Sequence, residues 1–249
     1  MISMLRKKHS PEIRFICRPD LKGVIPEPTP AAKAIPDWYR KMPRSVSDNP
    51  RTSHSLKACV PLRDSMSLGY VIPLWEDILF DAEWNSPEDW HLRYHWPGNL
   101  SGQEPGAISS HFPEQVTQTP WAGQPTENSV LKFSSPWSIH TDPGYSCLFL
   151  APLNHGEQRF ELFSGVVDTD CYRSAIHFPF VWKNWQGKTL LEQGLPLVQV
   201  IPFKREDWQS QSREWSKNEL TDIQRSDNTV QSVFRRAYER FFWQRKRFR

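Results

Sequence analysis

Pro143-Gly144-Tyr145, Gly165-Val166-Val167-Asp168-Thr169-Asp170 and Gly194-Leu195-Pro196-Leu197-Val198-Gln199 follow one another within residues 143–205. Gly and Pro mark tight corners, and the apolar runs between those corners are too short for stable helices. The stretch therefore predicts strands joined at sharp turns. Working outward, residues 11–17 alternate, with Ile13, Phe15 and Cys17 on one face, as in a half-buried strand. Pro26, Pro28 and Pro30 impose an extended connector, and Ala31 to Arg40 is expected to form a short helix that lays Trp38 and Tyr39 on the body. A second β region is expected from Ala58 through Leu68–Trp75 and on to Trp84.

These pieces predict a mainly β chain with a compact barrel- or jelly-roll-like core, long loops and peripheral helices. One β domain is expected over residues 1–249: a first β region at 11–84, long loops at 85–128, a main β region at 129–205 and C-terminal helices at 206–249. Within the last segment, Glu206–Asn218 and Thr229–Arg249 carry the helical patterns, the second with Val230, Val233, Phe234, Ala237, Tyr238, Phe241 and Phe242 at helical spacing. The 22 prolines against 11 glycines argue against long helices throughout.

A formal charge of +3, from 31 basic and 28 acidic residues, is too small to imply a nucleic-acid partner for the chain as a whole. Local clustering is another matter: Arg235, Arg236, Arg240 and the run Arg245-Lys246-Arg247-Phe248-Arg249 lie among aromatic residues. A basic helix there could touch a protein or nucleic acid. The four cysteines lack CxxC spacing and read as free thiols. With no secretory or membrane-spanning run, this points to a cytoplasmic protein without membrane contact.

The order of the three opening phrases resembles the core of the dUTP diphosphatase and dCTP deaminase superfamily. In that core a Pro-Gly turn leads to Pro-Arg-Ser, then Gly-Val-Ile-Asp-x-Asp-Tyr, then Gly-Asp-Arg-Ile-Ala-Gln. Here Pro143-Gly144 leads to Pro152-Leu153-Asn154, then Gly165 to Asp170, then Gly194 to Gln199. The resemblance implies a dUTPase-like scaffold and a homo-oligomer. It implies Asp168 as the carboxylate that activates water, with Asp170 beside it, and Tyr172, Asn154 and Gln199 near a phosphorylated, nucleotide-like substrate. Tyr172 stands one position late because Cys171 intervenes. Leu153 and Asn154 replace the Arg and Ser that would meet phosphate, so Mg²⁺ would have to offset the missing guanidinium. The chain also resembles a family of bacterial and phage proteins with Pro-Gly-Tyr-Ser and Ile-Pro-Phe-Lys-Arg phrases, which implies no activity.

Two further readings compete with hydrolysis. His140-Thr141-Asp142 has the His-x-Asp spacing that cupin-like Fe²⁺ oxygenases use on a strand, with His177 or His155 as a third ligand. The alternative is a non-catalytic structural or interaction protein, in which Asp168 and Asp170 simply cap a corner. His91 and His95, four apart without a nearby catalytic glutamate, read as an aromatic-rich surface segment rather than a zinc site.

Overall fold

The structure, a computed structural model, describes residues 10–47, 54–86, 89–98, 100, 106–119, 130–184, 186–231 and 237–249. In chain order its strands are β1 (Ile13–Ile16), β2 (Thr29–Pro30), β3 (Tyr70–Pro73), β4 (Ile78–Ser86), β5 (Asp89–His95), β6 (Ile108–Ser110) and β7 (Val130–Thr141). They continue with β8 (Tyr145–Leu150), β9 (Phe160–Leu162), β10 (Gly165–Val167), β11 (Ala175–Trp182), β12 (Gln186–Leu191) and β13 (Pro196–Lys204). The α-helices are α1 (Asp37–Lys41), α2 (Val60–Met66), α3 (Lys217–Gln231) and α4 (Ala237–Phe241).

The chain is mainly β, and the strands of the described residues form three antiparallel sheets. One runs β1-β7-β11-β9, with β6 on the same edge of β7 as β1 but further back along it. A second runs β10-β8-β13-β3-β2, and a third β12-β4-β5. Each path is open at both ends, so the core is sandwich-like rather than a closed barrel. The alternation read at 11–17 appears as β1, and the three corner phrases fall where predicted, at the β7–β8 turn, at β10 with its corner, and at the entry to β13.

Aromatic rings join the layers. Phe180 of β11 stacks on Phe133 of β7 at 4.0 Å between ring centroids and meets Phe80 of β4 edge-on at 6.2 Å. Phe80 in turn stacks on Trp182 at 4.0 Å, and Phe149 of β8 meets Phe178 of β11 at 5.8 Å. Phe80, Phe133, Phe180 and Trp182 are almost fully removed from solvent, so apolar burial together with ring packing holds the three sheets on one core.

A proline in the middle of β7 has a physical reason. Ser134 pairs with His177 while Ser138 pairs with Ala175, so four steps on β7 oppose two on β11. Pro136 sits in that bulge, where no ladder hydrogen bond is asked of it.

Several expectations are corrected. The segment after Ala58 is helical, because Pro61 at the start of α2 is preset for a first turn and costs no intrahelical bond there. Ala31–Arg40 is split into a 3₁₀ turn, Ala31–Lys33, and α1, since Pro36 interrupts the ladder. Residues 85–128 are not only loops: β5 returns on β4 as a hairpin and β6 joins β7. His91 and His95 lie on β5 and are exposed. Residues 206–216 are non-helical, and the helix begins at Lys217, where Ser216 and Glu219 form a reciprocal capping box. Glu219 N–H donates to Ser216 Oγ at 3.3 Å and Ser216 N–H to Glu219 Oε2 at 2.9 Å. Of the helix expected over Thr229–Arg249, the described residues show the last three residues of α3, then α4, then an irregular course to Arg249; Val233, Phe234, Arg235 and Arg236 lie outside the described residues.

Candidate functional site

Asp168 and Asp170 flank Thr169 at the corner after β10. Val167 pairs with Cys147, which sets Asp168 abreast of Ser146 on β8. Thr169 is fully buried, and its Oγ1 lies 2.8 Å from Thr141 Oγ1 and 3.3 Å from Cys147 Sγ, a hydroxyl chain that pins the corner to β7 and β8. The Cys171 and Tyr172 N–H groups both donate to the Asp168 carbonyl, at 3.0 and 2.9 Å. The turn is therefore sharply defined.

The residue that organises this corner is Arg205, one position past the end of β13. Register places it there: Lys204 pairs with Tyr145, and the Arg205 N–H donates to the Gly144 carbonyl at 2.9 Å. Its guanidinium grips Asp170 with both terminal nitrogens, Nη1 donating to Oδ1 at 2.9 Å and Nη2 to Oδ2. Nη1 also donates to Asp168 Oδ1 at 3.3 Å, to Ser146 Oγ at 3.0 Å and to the Tyr145 carbonyl at 3.1 Å. The Gly144 N–H donates to Asp170 Oδ2 at 2.8 Å, and the Ser146 hydroxyl donates to Asp168 Oδ1 at 2.6 Å.

The forked hydrogen bond from Arg205, helped by the Gly144 amide, holds the Asp170 carboxyl well below the usual carboxylate range. Asp170 is 7% exposed at its side chain and Asp168 is 65% exposed, so one carboxylate is locked and the other faces solvent with Oδ2 free. A guanidinium against both carboxylates already supplies the countercharge that a divalent cation would, so the residues of this corner do not fit Mg²⁺. Nor does Asp170 fit a catalytic acid or base, because both its oxygens are occupied.

The residues expected to touch substrate are placed differently. Gln199 is buried: its Oε1 accepts from Leu153 N–H at 2.9 Å, while its Nε2 donates to the Ser65 and Leu68 carbonyls at 3.0 and 2.6 Å. It ties β13 to α2 and to the loop after β8, and no polar atom is left for a ligand. Asn154 adopts a left-handed φ of 62° and donates from Nδ2 to Ser65 Oγ at 3.0 Å, while its carbonyl accepts from Trp38 Nε1 at 2.9 Å. That is a turn residue's work. Tyr172 is exposed, with only a long 3.5 Å contact from its hydroxyl to the Ala175 carbonyl.

The iron triad does not converge. His177 is paired with Ser134, six residues from His140 along β7, which at about 3.3 Å per residue separates the two by roughly 15–20 Å. His140 Nε2 lies 2.9 Å from Ser138 Oγ, and Asp142 Oδ2 accepts from the Glu12 N–H at 3.0 Å. Among the described residues no group of three or more His, Cys, Asp or Glu side chains is placed to hold a metal ion.

A separate cleft of about 600 Å³ opens between β9, at the edge of one sheet, and the entry to β13 in another. Its floor is apolar, with Phe160, Leu162 and Leu197, and its rim carries His155 and two ion pairs. Arg159 Nη2 contacts Glu157 Oε2 at 2.6 Å with both side chains largely buried, and Lys183 pairs with Glu161. Burial pushes the His155 imidazole below its ordinary value, so it stands neutral near pH 7 with one nitrogen to donate and one to accept. The cleft begins at Ala151, five residues along β8 from Ser146, so Asp168 lies roughly 17 Å from it.

Sequence reasoning missed both Arg205 and the cleft. The Ile-Pro-Phe-Lys-Arg phrase contained Arg205, but only the pairing of β13 on β8 brings it to the acidic corner.

No family model and no curated protein matches the chain. Among solved structures, it is similar to the dUTPase of phage phi11 of S. aureus. The match has a TM-score of 0.33 and 9% identity, and it covers 84% of this chain and 99% of that one. A mutant of the same dUTPase, described with a coordinated structural Mg(II) ion, matches with a TM-score of 0.32 and 10% identity over 85% and 99% of the two chains. The β fold of this chain rests on its own strand ladders. No helix among the described residues is long and apolar enough to cross a membrane.

Proposed function

We propose that this chain is a small-molecule-binding β-fold protein whose ligand enters the cleft between β9 and the start of β13. The observation that carries this reading is the cleft itself: its volume lies in the range of ligand sites, and it has an apolar floor with a few polar groups at the rim. Its charges are already matched, Arg159 with Glu157 and Lys183 with Glu161. A neutral heteroaromatic or nucleoside-like body therefore fits better than a polyphosphate, with its flat face on Phe160 and Leu162 and its polar edge toward His155. Saturation-transfer NMR against uridine, cytidine, dUTP and dCTP tests this. Transfer to a nucleoside that disappears in His155→Ala supports the assignment, and no transfer to any of the four rejects it.

A second reading, hydrolysis of a nucleotide-like substrate by water activated at Asp168, is favoured by one observation only, the solvent-facing Oδ2 of that residue. Pyrophosphate release from dUTP by the wild type, lost in Asp168→Asn, would establish it. Equal release by the two proteins would end it.

A further inference from the structure

The tail that follows α4 is pinned to α2 along one side. Trp243 Nε1 and Lys246 Nζ both donate to Asp64 Oδ2, at 2.6 and 2.7 Å, and Arg63 pairs with Glu239 at 3.1 Å. Further along, the Tyr70 hydroxyl donates to the Arg249 carbonyl at 3.1 Å, and the Tyr70 ring meets Phe248 edge-on at 5.9 Å. Arg63 and Lys246 each lie over the Trp243 ring, at 5.6 and 5.8 Å from its centroid. These contacts fix the course of the backbone and engage the two acidic residues of the region, Asp64 and Glu239.

What they leave over is a row of cations. Arg245, Arg247 and Arg249 recur at every second position, are exposed, and have no acidic partner among the described residues. Together with Arg63 and Phe248 they border a concavity of about 470 Å³. A few residues earlier in the chain stand exposed rings: Phe241 is 56% exposed with the Arg240 guanidinium over one side at 5.4 Å, while Phe242 and Tyr238 are each 40% exposed and stack on one another at 6.4 Å. Guanidiniums without acidic partners, close in the chain to solvent-exposed rings, suit a strand whose phosphates and base faces are both accessible. A duplex offers the phosphates but hides the faces, and an acidic peptide has no need of the rings.

From this juxtaposition we infer that the docked tail is a binding surface for single-stranded nucleic acid, with Arg245, Arg247 and Arg249 on phosphates and Phe241 and Phe242 under bases. This surface is separate from the cleft at β9 and does not depend on the ligand assigned there.

The test is the fluorescence anisotropy of a labelled twenty-residue oligothymidylate, titrated with full-length protein at several salt concentrations, alongside a duplex of the same length. The wild type should bind the single strand more tightly than the duplex. Each phosphate contact on a single strand contributes about 0.7 to the slope of log affinity against log salt, so Arg245→Gln, Arg247→Gln and Arg249→Gln together should flatten that slope by about 2. A control of equal charge, Arg14→Gln, Arg93→Gln and Lys188→Gln, should leave it in place. Phe241→Ala with Phe242→Ala should weaken single-strand binding about tenfold or more at unchanged slope. Absence of single-strand binding at low salt, duplex binding as tight as single-strand binding, or equal slope loss in the control would each overturn the inference.

Discussion

Replacing Gln199 with Leu separates an architectural role from a ligand-binding one. The substitution leaves a branched apolar side chain one bond shorter and removes the acceptor of the Leu153 N–H and the donor to the Ser65 and Leu68 carbonyls. The Ser65 carbonyl still accepts from the Leu68 N–H at 3.4 Å, so two groups are stranded in a region where Gln199 is 1% exposed. A stranded buried group costs about 1–3 kcal/mol, and the added apolar contact of Leu offsets about 1 kcal/mol, which leaves a net loss of about 3 kcal/mol. With a urea slope of about 3 kcal/mol/M, the unfolding midpoint should fall by about 1 M, followed by tryptophan fluorescence and circular dichroism together. Gln199→Glu should be worse, because it turns a carboxylate oxygen toward two carbonyls. A Gln199→Leu midpoint within 0.2 M or so of the wild type, with ligand binding abolished, would refute the structural role and restore the one expected from the sequence.

Other expectations follow from the same geometry. Asp170 is held below its ordinary range, so its pairing with Arg205 adds stability that is present above the unfolded-state value near pH 4 and lost as pH falls through the folded-state value. Arg205→Met should thus be less stable than the wild type at neutral pH, with the gap narrowing below about pH 4 in acid-unfolding curves; a gap constant with pH would contradict the pairing. Ellman's reagent at pH 8 should label Cys59 first and Cys171 more slowly, since Asp170 raises the Cys171 thiol. Cys147, buried and pushed up to about 11, should react only after unfolding. Phe180→Ala removes the ring that touches Phe80, Phe133 and Phe160, and it should cost about 3–5 kcal/mol, read as a fall of about 10 °C in the thermal midpoint.

The corners were legible in the sequence because Gly and Pro act locally: Gly144 and Gly194 both take the positive φ that their turns need. The strand reading of residues 58–66 fails because Val60, Leu62 and Met66 look like strand residues until Pro61 is taken as a first-turn signal, and the helices expected at 206–218 and 229–249 leave a gap that α3 fills from the Ser216–Glu219 box onward. The candidate sites fared worse for a non-local reason. Whether His140 and His177 meet depends on the register of β11 on β7, which sets His177 opposite Ser134, and whether Asp170 is a catalyst or a fastening depends on the register that delivers Arg205 from the far end of β13. Spacing along one strand carries neither fact.

Arg205 also fixes the point from which everything downstream departs. The chain is anchored at the acidic corner and, among the described residues, is held again on α2, where Asp64 grips Trp243 and Lys246, while Trp208 and Trp215 in the intervening stretch are 86% and 62% exposed. A protease cut among residues 206–216 should therefore yield two pieces that stay together without a covalent link. The terminal fragment would dissociate when its contacts with Arg63, Asp64 and Tyr70 are lost together or the sheets themselves give way.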